Sequence, residues 1–283
     1  MPNLTDLATI RDLCERYDFA LSKGFGQNFI INPGVCPKMA EAAGVDKDCG
    51  VLEIGPGIGV LTKELASRAK KVVSVEVDER LPPMLAETLA DCDNVKIVLN
   101  DVLKTDLKKL IAEEFPGMRV VVCANLPYYI TSPILMKLLE EHLPIENITV
   151  LVQKEAAERL VSPPGSRLAG AVSYAVAYYA AARMMFNVQP GSFYPAPKVV
   201  STVIRLDVHQ QPVVPVEDEA GYFKLVRAAF CQRRKTAANA IAAGLQLPKE
   251  QVLNALREGG FDERIRPEKL TLDDFARIHQ LLG

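Results

Sequence analysis

Five runs of nearly continuous apolar residues mark the chain between Gly50 and Gln153: VLEI at 51–54, KVVSVEV at 71–77, VKIVL at 95–99, MRVVVCAN at 118–125 and ITVLVQ at 148–153. The connections between them contain amphipathic stretches of about 10 to 15 residues, the alternation that builds a parallel sheet wrapped by helices. Strands so uniformly apolar are those covered on both faces. After Arg183 the pattern changes. RMMFNV at 183–188 and VVSTVIRLDV at 199–208 flank the Pro-rich QPGSFYPAPK, predicting a hairpin that closes one sheet edge. Residues 210–219 are polar and contain Pro212 and Pro215, and beyond them FKLVRAAF, PKEQVLNALREGG and TLDDFARIHQLL carry helical periodicity. Thr271 and Asp274 open the last of these with capping-box spacing. The pattern predicts an α/β domain over 1–209, which includes an N-terminal cap segment, and a small all-helical domain over 210–283.

Composition narrows the classes without changing that picture. With 283 residues, 49% of them hydrophobic and 24% charged, the chain can bury a core and is neither collagen-like nor disordered. No apolar run approaches the roughly 18 residues of a membrane span, and the N-terminus lacks the apolar stretch of a secretory signal, so a cytoplasmic protein is expected. Six cysteines, at 14, 36, 49, 92, 123 and 231, never come closer than 13 residues apart, and His142, His209 and His279 are scattered. Neither set has a metal-ligand spacing, and no metal is expected. The net charge of −2 gives no global nucleic-acid signature, so such a partner would need a local basic patch.

The first apolar run ends in Glu53-Ile-Gly55-Pro-Gly57-Ile-Gly59 and passes straight into a helical pattern. Glycines there allow a ligand to approach the backbone at the carboxyl edge of the sheet. A dinucleotide loop would require G-x-G-x-x-G, but Val60 stands where its third glycine belongs. The second run ends in Glu76, placed to accept from ribose hydroxyls, and the third is followed by Asp101, placed to take an adenine amino group. Two such acids with no basic residue offered to a phosphate fit S-adenosylmethionine, which carries adenosine without pyrophosphate. The alternative is that Glu76 and Asp101 are solvated or helix-capping acids.

The fourth run ends in Asn125-Leu126-Pro127-Tyr128. Methyl transfer to an aromatic amine needs alignment and acceptors for the amine hydrogens rather than a Cys or His base. The Asn125 side-chain oxygen and the Leu126 carbonyl can accept them, Pro127 holds Leu126 extended, and Tyr128 offers a ring face. Phe193, in Phe193-Tyr-Pro-Ala-Pro-Lys198, could supply a second ring and complete a slot one base wide; a base in that slot must be unstacked or single-stranded. The plainer alternatives are a Pro-turn with Tyr128 in the core and Phe193 as a hydrophobic plug. Cys123 has no adjacent His and is read as packing.

These segments, with Gly26-Gln-Asn-Phe29, Gln153-Lys-Glu155, Glu158-Arg-Leu160, Phe230 and Arg233-Arg-Lys-Thr236, resemble the KsgA/RsmA family of small-subunit ribosomal RNA adenine dimethyltransferases along almost the whole chain. The resemblance implies a Rossmann-like class I S-adenosylmethionine-dependent methyltransferase sheet. It also implies dimethylation of N6 on two adjacent adenosines in the 3′-terminal hairpin loop of 16S rRNA, within the 30S subunit or its precursor, as a late step of ribosome biogenesis. By position, Asn28, Ile30, Gly55, Gly57, Glu76, Asp101 and Asn125 would hold the cofactor, while Tyr128 and Phe193 would sandwich the base. The segment before Gly26 carries one basic residue, Lys23, where many relatives carry two or three. Arg233, Arg234, Lys235 and Lys198 are therefore the candidate RNA contacts, with a solvated helix face as the bland reading of the first three. A monomer is expected. Competing readings are the related large-subunit adenine methyltransferases, a DNA adenine methyltransferase, whose usual Asp/Asn-Pro-Pro motif is interrupted here by Leu126, and an assembly factor in which methylation is secondary.

Overall fold

A computed structural model describes residues 3–20, 26–232 and 234–283. Lys23 and Arg233 lie outside the described residues. The strands are β1 (Phe29–Ile30), β2 (Cys49–Ile54), β3 (Lys71–Glu76), β4 (Val95–Leu99), β5 (Arg119–Asn125), β6 (Asn147–Gln153), β7 (Ala180–Val188), β8 (Phe193–Tyr194) and β9 (Ser201–Val208). Seven of them form one sheet in the order β4-β3-β2-β5-β6-β9-β7. The five apolar runs are its β2 to β6, paired parallel to one another. β9 pairs antiparallel to β6, with Val150 opposite Ile204, and β7 lies beyond it as the closing edge. The parallel sheet is the one the hydrophobic pattern predicts, and its arrangement is the Rossmann-like one that the resemblance implies.

Burial explains the composition of the strands. Every residue of β2 is buried, whereas every residue of the edge strand β4 is partly buried or exposed. Gly50 in β2 is required by packing. A Cβ there would stand 2.3 Å from the Phe115 ring.

β1 and β8 form a separate two-stranded ribbon, pairing Phe29 with Tyr194 and Ile30 with Phe193. Successive strand side chains point to opposite faces, so the ribbon serves two cores. Ile30 and Phe193 join the cluster that includes Val121, Leu151 and Val203. Phe29 and Tyr194 join the one built on Ile10, Leu13, Ile58 and Met84.

The chain divides into two compact units. One comprises Met1–Ala157 and Arg183–Val208, the other Glu158–Ala182 and His209–Gly283. The second is therefore discontinuous, where the polar stretch at 210–219 suggested a single cut. The reason is aromatic: Tyr174 and Tyr178, from helix 171–179, are fully buried against rings that come after residue 209. Tyr174 meets Phe275 edge-on at 5.2 Å and Tyr178 meets Phe223 at 5.0 Å. The Tyr174 hydroxyl donates to the carbonyls of Leu270 and Pro267. The last helix, Leu272–Leu282, carries the reciprocal Thr271–Asp274 capping box. Among the described residues, no helix is long and apolar enough to cross a membrane.

Candidate active site

An open cavity of about 980 Å³, including its mouth, lies at the carboxyl ends of β2, β3 and β5. Its wall is built from four stretches of chain: Gly26–Ile30, the loop from Ile54 to Ile58, the β3 end with Asn100 to Val102, and Asn125 to Ile130. Asn28, Ile30, Gly55, Gly57, Glu76, Asp101, Asn125, Leu126, Pro127 and Tyr128 all line it. None of the described lining residues is basic.

The glycine loop shapes the floor. Gly55 has φ +71°, and a Cβ on it would meet nothing within 4 Å, so the space it leaves is cavity. Gly59 caps the following helix at φ +92°, and a Cβ there would stand 3.0 Å from Leu89. Beneath the loop, Glu53 is fully enclosed. Its Oε2 accepts from the Ser74 hydroxyl at 2.6 Å, and its Oε1 has no hydrogen-bond partner. Burial pushes its carboxyl up from 4.5 to about 7, against the opposing pull of Ser74. A proton held more tightly in the folded than the unfolded state gives stability that is complete below pH 4.5 and lost as pH rises through 7. Glu53→Gln, permanently neutral, is expected to remove that decline. Denaturant titrations from pH 5 to pH 8 should show a flatter profile than wild type, the gap at pH 8 being at most about 3 kcal/mol.

Glu76 ends β3 almost fully buried. Its Oε1 accepts from the amides of Val77 and Asp78, both at 2.8 Å, leaving Oε2 as the oxygen with capacity for a ligand. Burial raises its carboxyl, and the amides of Asp78, Val77 and Gly57 oppose the rise. Asp101 accepts from the Leu103 amide at 2.9 Å, a local turn, and also lines the cavity. Asp101 thus shapes a local turn and at the same time stands on the cavity wall.

A residue that motif reading passed over ties the N-terminal wall to this edge. Asp78, 2% exposed, accepts from Gln27 Nε2 at 2.9 Å and from the Arg80 guanidinium at 2.6 Å. The Arg80 guanidinium lowers its pKa first and most strongly. Arg80 in turn lies 4.7 Å over the Phe19 ring. A second acid two residues after Glu76 was the available signal.

Asn125 closes β5. Its Nδ2 donates to the Asn28 carbonyl at 3.0 Å, which turns Oδ1 into the free end of the amide. The Leu126 amide bonds to the Leu151 carbonyl at 3.3 Å, and Pro127 has φ −59° and ψ 129°. The short 3-10 helix Tyr128–Ile130 follows. The Tyr128 hydroxyl shares a 2.6 Å hydrogen bond with Ser201, so the ring is held from β9, and burial raises its pKa. Cys123 is buried, and burial lifts its thiol well above the ordinary range, as suits a packing residue.

Phe193 corrects the expectation of a two-ring slot. It is 2% exposed, belongs to the core cluster and is not among the cavity-lining residues. The register of the β1–β8 ribbon is the cause, because pairing with Ile30 turns this ring inward while Tyr194 takes the other face. Lys198, in the unit of the sheet, and Arg234 and Lys235, in the helical unit, are exposed.

Residues 19–282 match the family model described as ribosomal RNA adenine dimethylase. The chain is 46% identical over 284 residues to the ribosomal RNA small subunit methyltransferase A of Geobacillus sp. strain WCH70, covering 98% of each. It is 48% identical over 285 residues to the protein of that name from Geobacillus thermodenitrificans, covering 98% of this chain and 97% of the relative. Its structure is similar to a dimethyladenosine transferase from Plasmodium falciparum, with a TM-score of 0.72 at 26% identity over 88% of this chain and 95% of the other. It is also similar to the 23S rRNA methyltransferase ErmE, with a TM-score of 0.64 at 27% identity over 90% and 99%. A family match that takes in both the cavity-bearing sheet and the helical unit, together with relatives alike from end to end, means that this chain belongs to the ribosomal RNA adenine dimethylases.

Proposed function

We propose that the protein uses S-adenosylmethionine to dimethylate N6 of two adjacent adenosines in the 3′-terminal hairpin loop of 16S rRNA, acting on the small ribosomal subunit or its precursor in the cytoplasm. The observation that carries this reading is a single cavity walled at once by the glycine loop, Glu76, Asp101 and Asn125–Tyr128. End-to-end similarity to small subunit methyltransferases favours that particle over the large subunit.

The residues fit the cofactor. The vacant Cβ space at Gly55 lets a ligand lie against backbone, Glu76 Oε2 takes a ribose hydroxyl, and Asp101 faces the adenine amino group. Asn28 and Ile30 edge the same space, and Gly57 directs its amide toward Glu76. Among the described residues the wall offers the carboxylates of Glu76 and Asp101 and no basic side chain, which suits a cationic sulfonium and disfavours a polyphosphate. When bound, S-adenosylmethionine supplies a methyl group on a positively charged sulfur.

The chain's own part is to align the acceptor. Asn125 Oδ1 and the Leu126 carbonyl accept the N–H hydrogens of the adenine amine, which fixes its lone pair and stabilises positive charge developing on that nitrogen. Pro127 restricts Leu126 to an extended conformation, so its carbonyl direction is set in advance. Tyr128, anchored through Ser201, presents a ring face to the base. Phe193 supports this wall from the core by packing in the same cluster that Tyr128 leans on. Lys198, Arg233, Arg234 and Lys235 contribute phosphate contacts, which supply affinity rather than sequence choice.

The test is incubation of the protein with labelled S-adenosylmethionine and unmethylated small subunits, followed by digestion to nucleosides. Label is expected in N6,N6-dimethyladenosine. Label on cytosine or ribose, or only with large subunits, would overturn the proposal.

A further inference from the structure

The cavity carries a second aromatic ring besides that of Tyr128, the ring of Tyr129. It is 58% exposed, lines the cavity mouth and belongs to the same 3-10 helix as Tyr128. Residues in a 3-10 helix are about 120° apart, so neighbouring rings cannot face each other across one base. Their surroundings agree. Tyr128 reaches to Ser201, whereas the Tyr129 ring lies over Gly26, 3.3 Å from where a Cβ would sit. Gly26 is at φ +60° and carries no side chain, which leaves the ring room to lie against the N-terminal wall.

A large aromatic ring held in place yet open to solvent at the edge of this cavity is a stacking surface, and every nucleobase has a face for it. Two rings turned in different directions serve two bases. We propose that Tyr129 stacks on the nucleobase adjacent to the adenosine undergoing methylation and so binds the dinucleotide rather than the single base. This rests on the function proposed above.

The test compares wild type with Tyr129→Ala, Tyr129→Leu, Tyr129→Phe and Tyr129→Trp on unmethylated small subunits. Ala and Leu are expected to raise KM for the particle about tenfold, the scale of one lost base stack, with little change in kcat. Phe and Trp should restore it, because the ring matters and the hydroxyl does not. Calorimetry with S-adenosylmethionine alone should give wild-type affinity for all four variants. An unchanged KM for Ala, full function with Leu, or a parallel loss of cofactor affinity would overturn the proposal. Failure of the underlying function reads differently: wild type itself would then leave small-subunit adenosine unmethylated.

Discussion

Asn125→Ala should lower single-turnover methyl transfer about 10²–10³-fold, the usual cost of deleting one preorganised polar group at a reacting centre. Particle affinity, measured by filter binding, should stay close to wild type, since phosphate contacts dominate it. The basis is the division of labour within one amide. Nδ2 is committed to the Asn28 carbonyl, and only Oδ1 remains to accept from the target amine. Asn125→Asp probes the two halves separately. It keeps an acceptor of the same shape but sets a carboxylate oxygen against the Asn28 carbonyl, so the side chain must swing away and transfer should still fall steeply. Wild-type transfer by the Ala variant would remove Asn125 from the chemistry.

The second large effect is on folding. Phe193→Ala empties a core position that is 2% exposed and should cost about 3–5 kcal/mol of unfolding free energy. Phe193→Leu refills most of that volume and should recover most of the loss, a comparison that denaturant titration can make. The transfer assay then decides the residue's role. If Phe193 is a core support, the Leu variant at a temperature where it is folded transfers within a fewfold of wild type. If the ring must meet the base, the Leu variant fails as the Ala variant does.

Phe193 also marks where the sequence stops being readable. The five runs from Val51 to Gln153 announce their strands because each is locally continuous, and the first four end in Gly, Asp or Asn punctuation. Glu76, Asp101 and Asn125 fall at strand ends that face one edge, which brings them to one cavity without knowledge of any side-chain contact. Phe193 and Tyr194 differ by one position in a two-residue strand, and which of them faces the core depends on pairing with Phe29 and Ile30 far earlier in the chain. Local pattern has no access to that register. Asp78 escaped for a similar reason, since its partner Gln27 lies in another segment. The membership of 158–182 in the helical unit was hidden because an apolar helix looks alike whichever core receives it.

The discontinuity of the helical unit has a consequence for synthesis on the ribosome. Tyr174 and Tyr178 emerge before the rings that bury them, and Phe275 follows Tyr174 by roughly 5–20 s at ordinary elongation rates. During that interval the nascent 171–179 stretch displays unshielded tyrosines while the polypeptide must also thread back to finish its sheet with β9. Vectorial folding from the amino end is thus barred for this unit, whose core closes only once its last helix has been made.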